Sequence, residues 1–378
     1  MICLPIKTLK EMLDYCVYQI DKGLKIFTKG VYPSAATVNN IYQPVSNDNG
    51  CWTQGFWVGL LWLAYEYTND IKYKNAGLSC VDDFLFRIEK KRGVNHHDMG
   101  FLYSPSCVAA YKLTGNKQAK RAALLAADNL CARYTEKGKF IQAWGILGEA
   151  SDYRLIIDSL LNLPLLFWAY KETKNERYKT IAFSHLKTAV GVVIRDDGTT
   201  FHTFFFDNKT GKKLYGKTCQ GYSDNSIWAR GQAWGIYGLA IAYKYLRNSD
   251  ILSKFNLVTN VFFDHLPKDN IPAWDMIFTD ENTQKDSSAA AIAICGINEM
   301  KNCTSVSKRF ITGMESMLKK LSENYRIPAN SKSSGILTHG VYAMPQKSGI
   351  DECTIWGDYY YMEALMCMYN PKRESYWE

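Results

Sequence analysis

An alternation of apolar and amphipathic helical segments, separated by similar short turns, constrains the fold more than any other feature of the sequence. Four turns share a polar, lysine-containing pattern: YTNDIKYK from Tyr67, LTGNKQAK from Leu113, ETKNERYK from Glu172 and RNSDILSK from Arg247. The segment before each turn is nearly apolar and rich in small residues, whereas the segment after it has one apolar face. A helix that is apolar all round is buried, so the first kind predicts inner helices and the second kind outer helices.

Two further inner segments follow toward the C-terminus, SSAAAIAICGINEM from Ser287 and IWGDYYYMEALMCMYN from Ile355. The segment after the first, VSKRFITGMESMLKKLSENY from Val306, supplies its outer partner. The outer partner of the second would be an N-terminal helix over residues 6–27. The pattern therefore predicts an all-α fold in which six inner and six outer helices close into one toroid. We expect this toroid to be a single domain over residues 1–378.

The residues at the starts of the predicted inner helices are polar or aromatic. They are Trp52, Thr53, His96, His97, Asp98, Asp158, Asp224, Asn225, Arg230, Asp286, Ser287, Ser288, Asp351, Glu352 and Trp356. Inner helices that run in one direction would place all these starts on one rim. Helix capping accounts for the Asp, Ser and Thr residues, but not for Trp and Arg.

Two long connections precede inner helices, over residues 201–226 and 333–349. In the first, FDNKTG predicts a hairpin-like turn between short aromatic strands. Connecting segments on the surface often carry binding residues, so we expect both connections to lean over the rim.

Asp158 lies in an otherwise apolar stretch, SDYRLIIDSLLNLPLLFWAY from Ser151 to Tyr170. Pro164 is tolerated in a first helical turn, so a helix is predicted to begin near Ser159 to Leu163, with Asp158 at its N-terminal end. Burial would raise the pKa of Asp158, while the helix dipole and nearby cations would lower it. This balance suits a proton donor that works near neutral pH. The competing interpretation is that Asp158 only caps the helix.

Charge and cysteine usage disfavour several classes of protein. The net charge is +8, but no basic run is longer than EKKR at residues 89–92, so nucleic-acid binding is disfavoured. The 11 cysteines are scattered without a CxxC pair, which favours free thiols in a reduced cytoplasm. The opening residues MICLPIKTLKEML lack the layout of a signal peptide, and no apolar run reaches membrane-spanning length.

Most motifs of nucleotide, metal and serine chemistry are missing from the sequence. It contains no GxGxxG, GxxxxGK[ST], HExxH or GxSxG motif, and its 6 histidines have no metal-like spacing. We therefore expect neither a cofactor nor a metal. What remains is a carboxylate-centred site with Trp, Tyr, Gln, Arg and His, which is typical of an enzyme acting on a charged sugar.

Six segments resemble the unsaturated glucuronyl hydrolases of glycoside hydrolase family 88. They occur in order between Cys51 and Leu365: CWTQGFWVGLLWLAYE, HHDMGFLYSPS, IIDSLLNLPLLFWA, QGYSDNSIWARGQAWGIYGL, DSSAAAIAICGI and DECTIWGDYYYMEAL. The resemblance implies an (α/α)6 barrel, in agreement with the helix count. It also implies hydration of the C4=C5 double bond in a 4,5-unsaturated uronate at the non-reducing end of a lyase product. Protonation at C4 and addition of water at C5 give a hemiketal, which opens to a 5-keto-4-deoxyuronate and expels the remaining sugar.

The resemblance also implies roles for individual residues. Asp158 resembles the general acid/base and Asp98 the second essential aspartate, although Asp98 could instead cap a helix that starts at Gly100. An arginine fork suits a carboxylate, which makes Arg230 a candidate for binding the uronate. The residues that resemble substrate-binding positions are Trp52, Trp144, His202, Gln220, Arg230, Trp234 and Tyr342.

One departure from the family bears on the substrate. Members that prefer sulfated disaccharides carry a Ser-x-x-Ser-x-Lys pattern after a Val-Tyr pair, where this chain has AMPQKS over residues 343–348. We therefore expect a preference for unsulfated or differently sulfated oligosaccharides that contain an unsaturated uronate, although Lys347 could still meet an anion.

Three alternatives stay open at this point: an unsaturated rhamnogalacturonyl hydrolase on the same barrel, an N-acylglucosamine-type epimerase, and a non-catalytic glycan-binding toroid. The sequence also leaves the oligomeric state open.

Overall fold

Helices dominate the computed structural model, which describes residues 5–46 and 51–377. The helices in chain order are α1 (Ile6–Leu24), α2 (Gln54–Thr68), α3 (Ile71–Ser79), α4 (Val81–Glu89), α5 (Met99–Tyr103), α6 (Ala109–Thr114), α7 (Lys117–Cys131), α8 (Pro164–Thr173), α9 (Glu176–Val193), α10 (Ala229–Leu246), α11 (Ser249–Asp264), α12 (Ser287–Cys303), α13 (Lys308–Asn324) and α14 (Ile355–Tyr369). A π-helical segment, Ser104–Val108, joins α5 to α6 into one continuous inner element.

The inner elements form a closed ring, in the order predicted from the sequence. They are α2, the α5–α6 element, α8, α10, α12 and α14. Neighbouring elements pack against one another in that order, and α14 returns to α2. Between α8 and α10 the contact is made by Phe167 stacked on Tyr245 and by the turn Ile157–Leu161 that precedes α8. The predicted (α/α)6 barrel is therefore confirmed, with α1, the α3–α4 pair, α7, α9, α11 and α13 as the outer layer. One hydrophobic core extends from Leu9 to Trp377, and the single domain over residues 1–378 stays our interpretation because its end residues lie outside the described part.

Small residues set the distance between inner helices. Gly296 on α12 faces the backbone of α10, and a Cβ atom at this position would lie 2.6 Å from the Cα atom of Tyr237. No side chain larger than hydrogen fits there, so the close approach of α12 to α10 requires glycine at this position.

Short antiparallel strands occupy the connections. They are β1 (Val31–Pro33), β2 (Pro44–Ser46), β3 (Tyr134–Thr135), β4 (Phe140–Ile141), β5 (Arg154–Ile156), β6 (Thr203–Phe206), β7 (Lys213–Lys217), β8 (Gly340–Ala343) and β9 (Ser348–Glu352). The turn predicted from FDNKTG joins β6 to β7, and β5 pairs with β6 on its other side. The 333–349 connection contributes the β8–β9 hairpin.

The structure corrects the predicted start of the helix after Asp158. A helix was expected to begin near Ser159 to Leu163, but α8 begins at Pro164, and Asp158 lies in a separate 3-10 turn, Ile157–Leu161. The ring of Pro164 fixes a helical start at its own position and removes one backbone donor, so the residues before it close a tighter turn instead.

None of the helices in the described residues is long and apolar enough to cross a membrane.

Candidate active site

A cavity of about 230 Å³ opens at the N-terminal ends of the inner helices. All nine residues singled out by the resemblance line it, together with His97 and Trp228. The lining residues are Trp52, His97, Asp98, Trp144, Asp158, His202, Gln220, Trp228, Arg230, Trp234 and Tyr342. The expectation that the inner helices share one functional rim is therefore met by the geometry, whereas the role of each residue stays a proposal.

The two aspartates lie close to the same nitrogen atom of one imidazole ring. Nε2 of His97 is 3.3 Å from Oδ1 of Asp98 and 3.5 Å from Oδ1 of Asp158. The second histidine of the pair, His96, places Nδ1 3.1 Å from Oδ2 of Asp98. The side chains of Asp98 and Asp158 are only 12% and 18% exposed, so both carboxyl groups are largely shielded from water.

A close backbone approach holds the aspartates together. Gly100 lies against the turn that carries Asp158, where a Cβ atom on Gly100 would be 2.4 Å from the Cα atom of Asn162. Oδ1 of Asn162 also accepts a hydrogen bond of 3.0 Å from the amide of Phe101. Asp98 occupies the N-cap position of α5, yet its carboxylate makes no capping hydrogen bond. Capping therefore does not account for the Asp98 side chain, which turns toward the histidines.

The electrostatic environment separates the two carboxyl groups into an acid and an anion. Burial and the adjacent charge of Asp98 raise the pKa of Asp158 well above its usual value, against a lowering effect of Arg230. Burial opposes ionisation of Asp98 as well, but His97 and His96 outweigh it and lower the pKa of this carboxyl. Opposite shifts in neighbouring carboxyl groups are typical of acid/base pairs in enzymes.

Arg230 is held by the protein through all four of its terminal N–H groups. Nη1 donates to Asp286 at 2.9 Å and to the carbonyl of Val341 at 2.5 Å. Nη2 donates to Oε1 of Gln220 at 2.7 Å and to the carbonyl of Tyr342 at 2.6 Å. These bonds join the β8–β9 hairpin, the 201–226 connection and the start of α12, and Arg230 supplies positive charge near Asp158. Binding of the uronate by Arg230 stays a proposal.

The remaining polar residues of the cavity are also oriented by neighbours. Nδ1 of His202 accepts a hydrogen bond of 3.0 Å from the amide of Cys219, which leaves Nε2 to carry the ring proton. The imidazole lies against the ring of Trp228, with centroids 4.2 Å apart. Burial lowers the pKa of His202 to about 3, so this ring is neutral and offers one N–H donor.

Indole rings form the walls of the cavity. Trp52 stacks on Trp356 with centroids 5.3 Å apart, and its Nε1 donates to the hydroxyl of Tyr342 at 3.1 Å. Trp144 is 37% exposed at the mouth, where the guanidinium of Arg154 lies 4.7 Å from its ring centroid. Flat apolar faces beside directed polar groups are what a pyranose ring requires.

Sequence reasoning did not assign two of the lining residues to the site. His97 was placed on the rim but given no role, since one His beside another carries no distinctive signal. Trp228 precedes Arg230 by two positions, and a tryptophan near the start of an apolar helix is ordinarily a core residue. The closeness of Trp228 to His202 arises from the β6–β7 hairpin, which sequence spacing does not reveal.

His97, Asp98 and Asp158 also present atoms that could ligate a metal, all within 4.8 Å of one another. A cation there would require Asp158 to be ionised, whereas burial and the charge of Asp98 favour its protonated form. With no cation bound, these residues are therefore in the protonation states that proton transfer needs, and the absence of a metal stays a prediction.

A barrel of paired helices with an acid, an anion and indole walls at one rim defines a carbohydrate-active hydrolase. The sequence profile of Glycosyl Hydrolase Family 88 matches residues 27–370. The chain belongs to this family of glycoside hydrolases.

Individual relatives cover nearly the whole chain. An unsaturated chondroitin disaccharide hydrolase of Streptococcus pneumoniae is 47% identical over 374 residues, covering 97% of this chain and 94% of the relative. An unsaturated glucuronyl hydrolase of Bacillus sp. strain GL1 is 39% identical over 341 residues, covering 89% and 90%. Among solved structures, an unsaturated glucuronyl hydrolase from Streptococcus agalactiae superposes with a TM-score of 0.96 at 44% identity, covering 100% of this chain and 95% of the other.

Proposed function

We propose that the chain is an unsaturated glucuronyl hydrolase, which hydrates the C4=C5 double bond of a 4,5-unsaturated uronate at the non-reducing end of an oligosaccharide. The observation that carries this proposal is the pair of buried aspartates whose pKa values are shifted in opposite directions. The relatives named above are glucuronyl or chondroitin disaccharide hydrolases, which favours this function over hydrolysis of pectin fragments, epimerisation or binding without catalysis.

Asp158 is the proton donor in this mechanism. Its carboxyl group stays protonated because of burial and the nearby charge of Asp98. Transfer of that proton to C4 of the substrate leaves positive charge shared between C5 and the ring oxygen. Asp158, now a carboxylate, accepts a proton from water as the hydroxyl adds to C5. The hemiketal then opens and expels the remaining sugar, so that one water molecule is consumed for each bond cleaved.

Asp98 stabilises the charge that develops during this step. A carboxylate that is already ionised and fixed in a shielded cavity interacts with a developing cation without further reorganisation. The neutral imidazole of His202 and the amide of Gln220 are placed to bind ring hydroxyls, and the indole rings of Trp52 and Trp144 enclose the ring faces.

The cavity accommodates the unsaturated residue and excludes most of the rest of the oligosaccharide. Pockets for drug-sized ligands measure about 300–1,000 Å³, and this cavity, at about 230 Å³, is smaller than a disaccharide of that size class requires. We therefore propose that the leaving sugar lies at the mouth of the cavity, where Trp144 is exposed. We propose unsaturated disaccharides of the chondroitin type as substrates, and we keep the prediction that unsulfated or differently sulfated forms are preferred.

The sulfated disaccharide dGlcA-GalNAc6S is bound in a structure of an Asp-to-Asn mutant of a Streptococcus agalactiae relative, so it is the sulfated substrate to test on this chain. The decisive experiment follows loss of the conjugated enol-carboxylate absorbance in a panel of unsaturated disaccharides with and without 6-sulfate. The product formed in heavy water should carry deuterium at C4. Absence of turnover across the panel, or product without deuterium at C4, would reject the proposed function.

We further propose that the enzyme works in the cytoplasm. Six cysteines of the described residues are free and buried: Cys16, Cys80, Cys107, Cys131, Cys295 and Cys353. So many free thiols suit a reducing compartment. Fractionation of the producing cells with activity assays on each fraction tests this location.

A further inference from the structure

The imidazole of His97 is almost completely buried, yet it makes no hydrogen bond within the described residues. Its side chain is 1% exposed, and within the described residues neither Nδ1 nor Nε2 has a partner of good geometry. Oδ1 of Asp158 is likewise buried without a partner among those residues. Buried polar atoms without partners are uncommon and costly. We therefore expect these three atoms to form a hydrogen bond at another stage of the reaction.

The surroundings of His97 determine whether its ring is charged and which nitrogen carries the proton. Burial lowers the pKa of His97 to about 4, against the raising effect of Asp98, and His96, Arg133 and Arg154 lower it further. The ring is therefore neutral near pH 7 and carries one N–H. Because Nε2 faces the ionised carboxylate of Asp98, a lone pair at Nε2 would be repelled. The favoured tautomer thus has its proton on Nε2, the nitrogen that lies 3.3 Å from Oδ1 of Asp98 and 3.5 Å from Oδ1 of Asp158.

The two oxygens of Asp158 differ in exposure. Oδ1 is buried beside His97, while the carboxyl side chain as a whole is 18% exposed, so its accessible oxygen is Oδ2. A proton on Oδ1 would point at the imidazole N–H and away from the substrate. A proton on Oδ2 is the one that can reach a carbon atom in the cavity.

We propose that His97 is a positioning residue, whose Nε2–H lies against the Oδ1 atoms of Asp98 and Asp158 and so confines the acid proton of Asp158 to Oδ2. This inference rests on the proposed function. Once Asp158 has given up its proton, the two carboxylates repel each other, and the same N–H lies between them. The contacts of 3.3 and 3.5 Å are long in the resting chain and should shorten when that second charge forms.

A pair of substitutions separates this role from simple packing. The amide nitrogen of Gln can replace Nε2 of His, whereas that of Asn can replace only Nδ1. We expect H97Q to keep kcat within about tenfold of wild type and H97N to lose about a hundredfold, which is the scale of acid/base effects. KM should change little in both variants. Gln and Asn at His265, a partly buried histidine at the C-cap of the outer helix α11, serve as matched controls and should not differ in kcat.

Folding is checked by circular dichroism and thermal unfolding of each variant. If H97Q and H97N have equal kcat values, or both match wild type, the inference is wrong. A test on the unaltered chain covers the case in which the variants do not fold: 15N spectra of histidine-labelled protein should show His97 as the Nε2–H tautomer, and the Nδ1–H tautomer would overturn the proposal.

Two results distinguish failure of this inference from failure of the proposed function. Wild-type enzyme that turns over no unsaturated disaccharide rejects the function, and the inference with it. Wild-type turnover that is lost on dialysis against EDTA and restored by a divalent cation would make His97 a metal ligand with Asp98 and Asp158, and would overturn the positioning role alone.

Discussion

The guanidinium of Arg230 and the carboxylate of Asp286 form an ion pair of 2.9 Å in which both side chains are almost fully buried. Asp286 also caps α12 by accepting the amide of Ser288 at 3.1 Å. The pair therefore fixes the start of one inner helix to another at the level of the substrate cavity. Arg230 extends this connection to the β8–β9 hairpin through the carbonyls of Val341 and Tyr342.

Replacing Arg230 by Lys tests the effect of its hydrogen bonds separately from the effect of its charge. A lysine keeps the positive charge near Asp158 but cannot make four directed hydrogen bonds at once. We expect R230K to raise KM about tenfold or more, because the hairpin that carries Tyr342 is no longer fixed, while the alkaline limb of the pH–rate profile stays in place. In R230M the charge is lost, so the pKa of Asp158 rises and that limb moves to higher pH.

Initial rates over a pH series, with thermal unfolding as the folding control, check both variants. Removal of one partner from a buried ion pair typically costs about 3–5 kcal/mol, so R230M should also unfold at lower temperature. An unchanged KM in R230K would contradict the assigned role.

Replacing Asp158 by Asn should abolish most turnover while leaving the fold intact. The amide is nearly the same size as the carboxyl group but cannot deliver a proton to C4. We expect kcat to fall by at least about a hundredfold. The measurement is the absorbance of the unsaturated disaccharide, with circular dichroism as the folding check. Exposed Glu149, on the same connection, provides the matched control as Glu149→Gln, and near-wild-type rates in D158N would refute the assignment.

The pH dependence of kcat/KM should be bell-shaped. Activity requires Asp98 ionised and Asp158 protonated, so it rises through the lowered pKa of Asp98 and falls through the raised pKa of Asp158. Removing the charge of Asp98 in D98N lessens the electrostatic penalty for ionising Asp158. The alkaline limb of any residual activity should therefore move to lower pH than in wild type. An alkaline limb that stays in place would show that the two carboxyl groups are not coupled.

Enlarging Gly100 should damage catalysis without touching a catalytic group. A methyl group there would lie 2.4 Å from the Cα atom of Asn162, so the backbone carrying Asp98 must move away from the turn carrying Asp158. Displacements of about 1 Å can cost about a hundredfold in rate. We expect G100A to lose activity of that order, measured on the unsaturated disaccharide. G191A is the matched control, because its added methyl group meets only Nζ of Lys213 at 4.0 Å. Equal activities in the two variants would contradict the argument.

The inner helices could be predicted from sequence because their apolar character does not depend on distant partners. Pro164 also indicated a helix start close to the observed one, although the 3-10 turn before it required the structure. The hydrogen bonding of Arg230 could not be predicted, since two of its four acceptors are backbone carbonyls 111 and 112 residues away in the chain. The residues singled out by the resemblance line one cavity, and their hydrogen bonds decide which polar atoms of each remain available to a ligand.

The C-terminal segment could not be predicted either, since no periodic pattern distinguishes it. Trp377 enters the inner layer, where its ring lies parallel to that of Tyr360 with centroids 6.0 Å apart. Tyr360 in turn contacts Trp234 of the cavity wall at 5.5 Å between centroids. Nε1 of Trp377 donates to Oε1 of Glu363 at 2.7 Å, so a buried carboxyl group belongs to this packing.

Glu363 should make the stability of the chain fall as the pH rises. Burial raises its pKa from 4.5 to about 7, so the folded chain keeps a proton that the unfolded chain releases above about pH 4.5. The stabilisation is complete below that pH and is lost as the pH rises to about 7, with an upper limit of roughly 3 kcal/mol for such a shift.

Urea unfolding at pH 5 and pH 7.5 measures this effect. The free energy of unfolding of Glu363→Gln should differ less between the two pH values than that of wild type, while exposed Glu136→Gln should match wild type. Asp358, whose pKa burial also raises to about 7, should preserve part of the decline in E363Q. An identical decline in E363Q and wild type would mean that Glu363 is ionised in the folded chain, so that the contact with Trp377 is charged and not neutral.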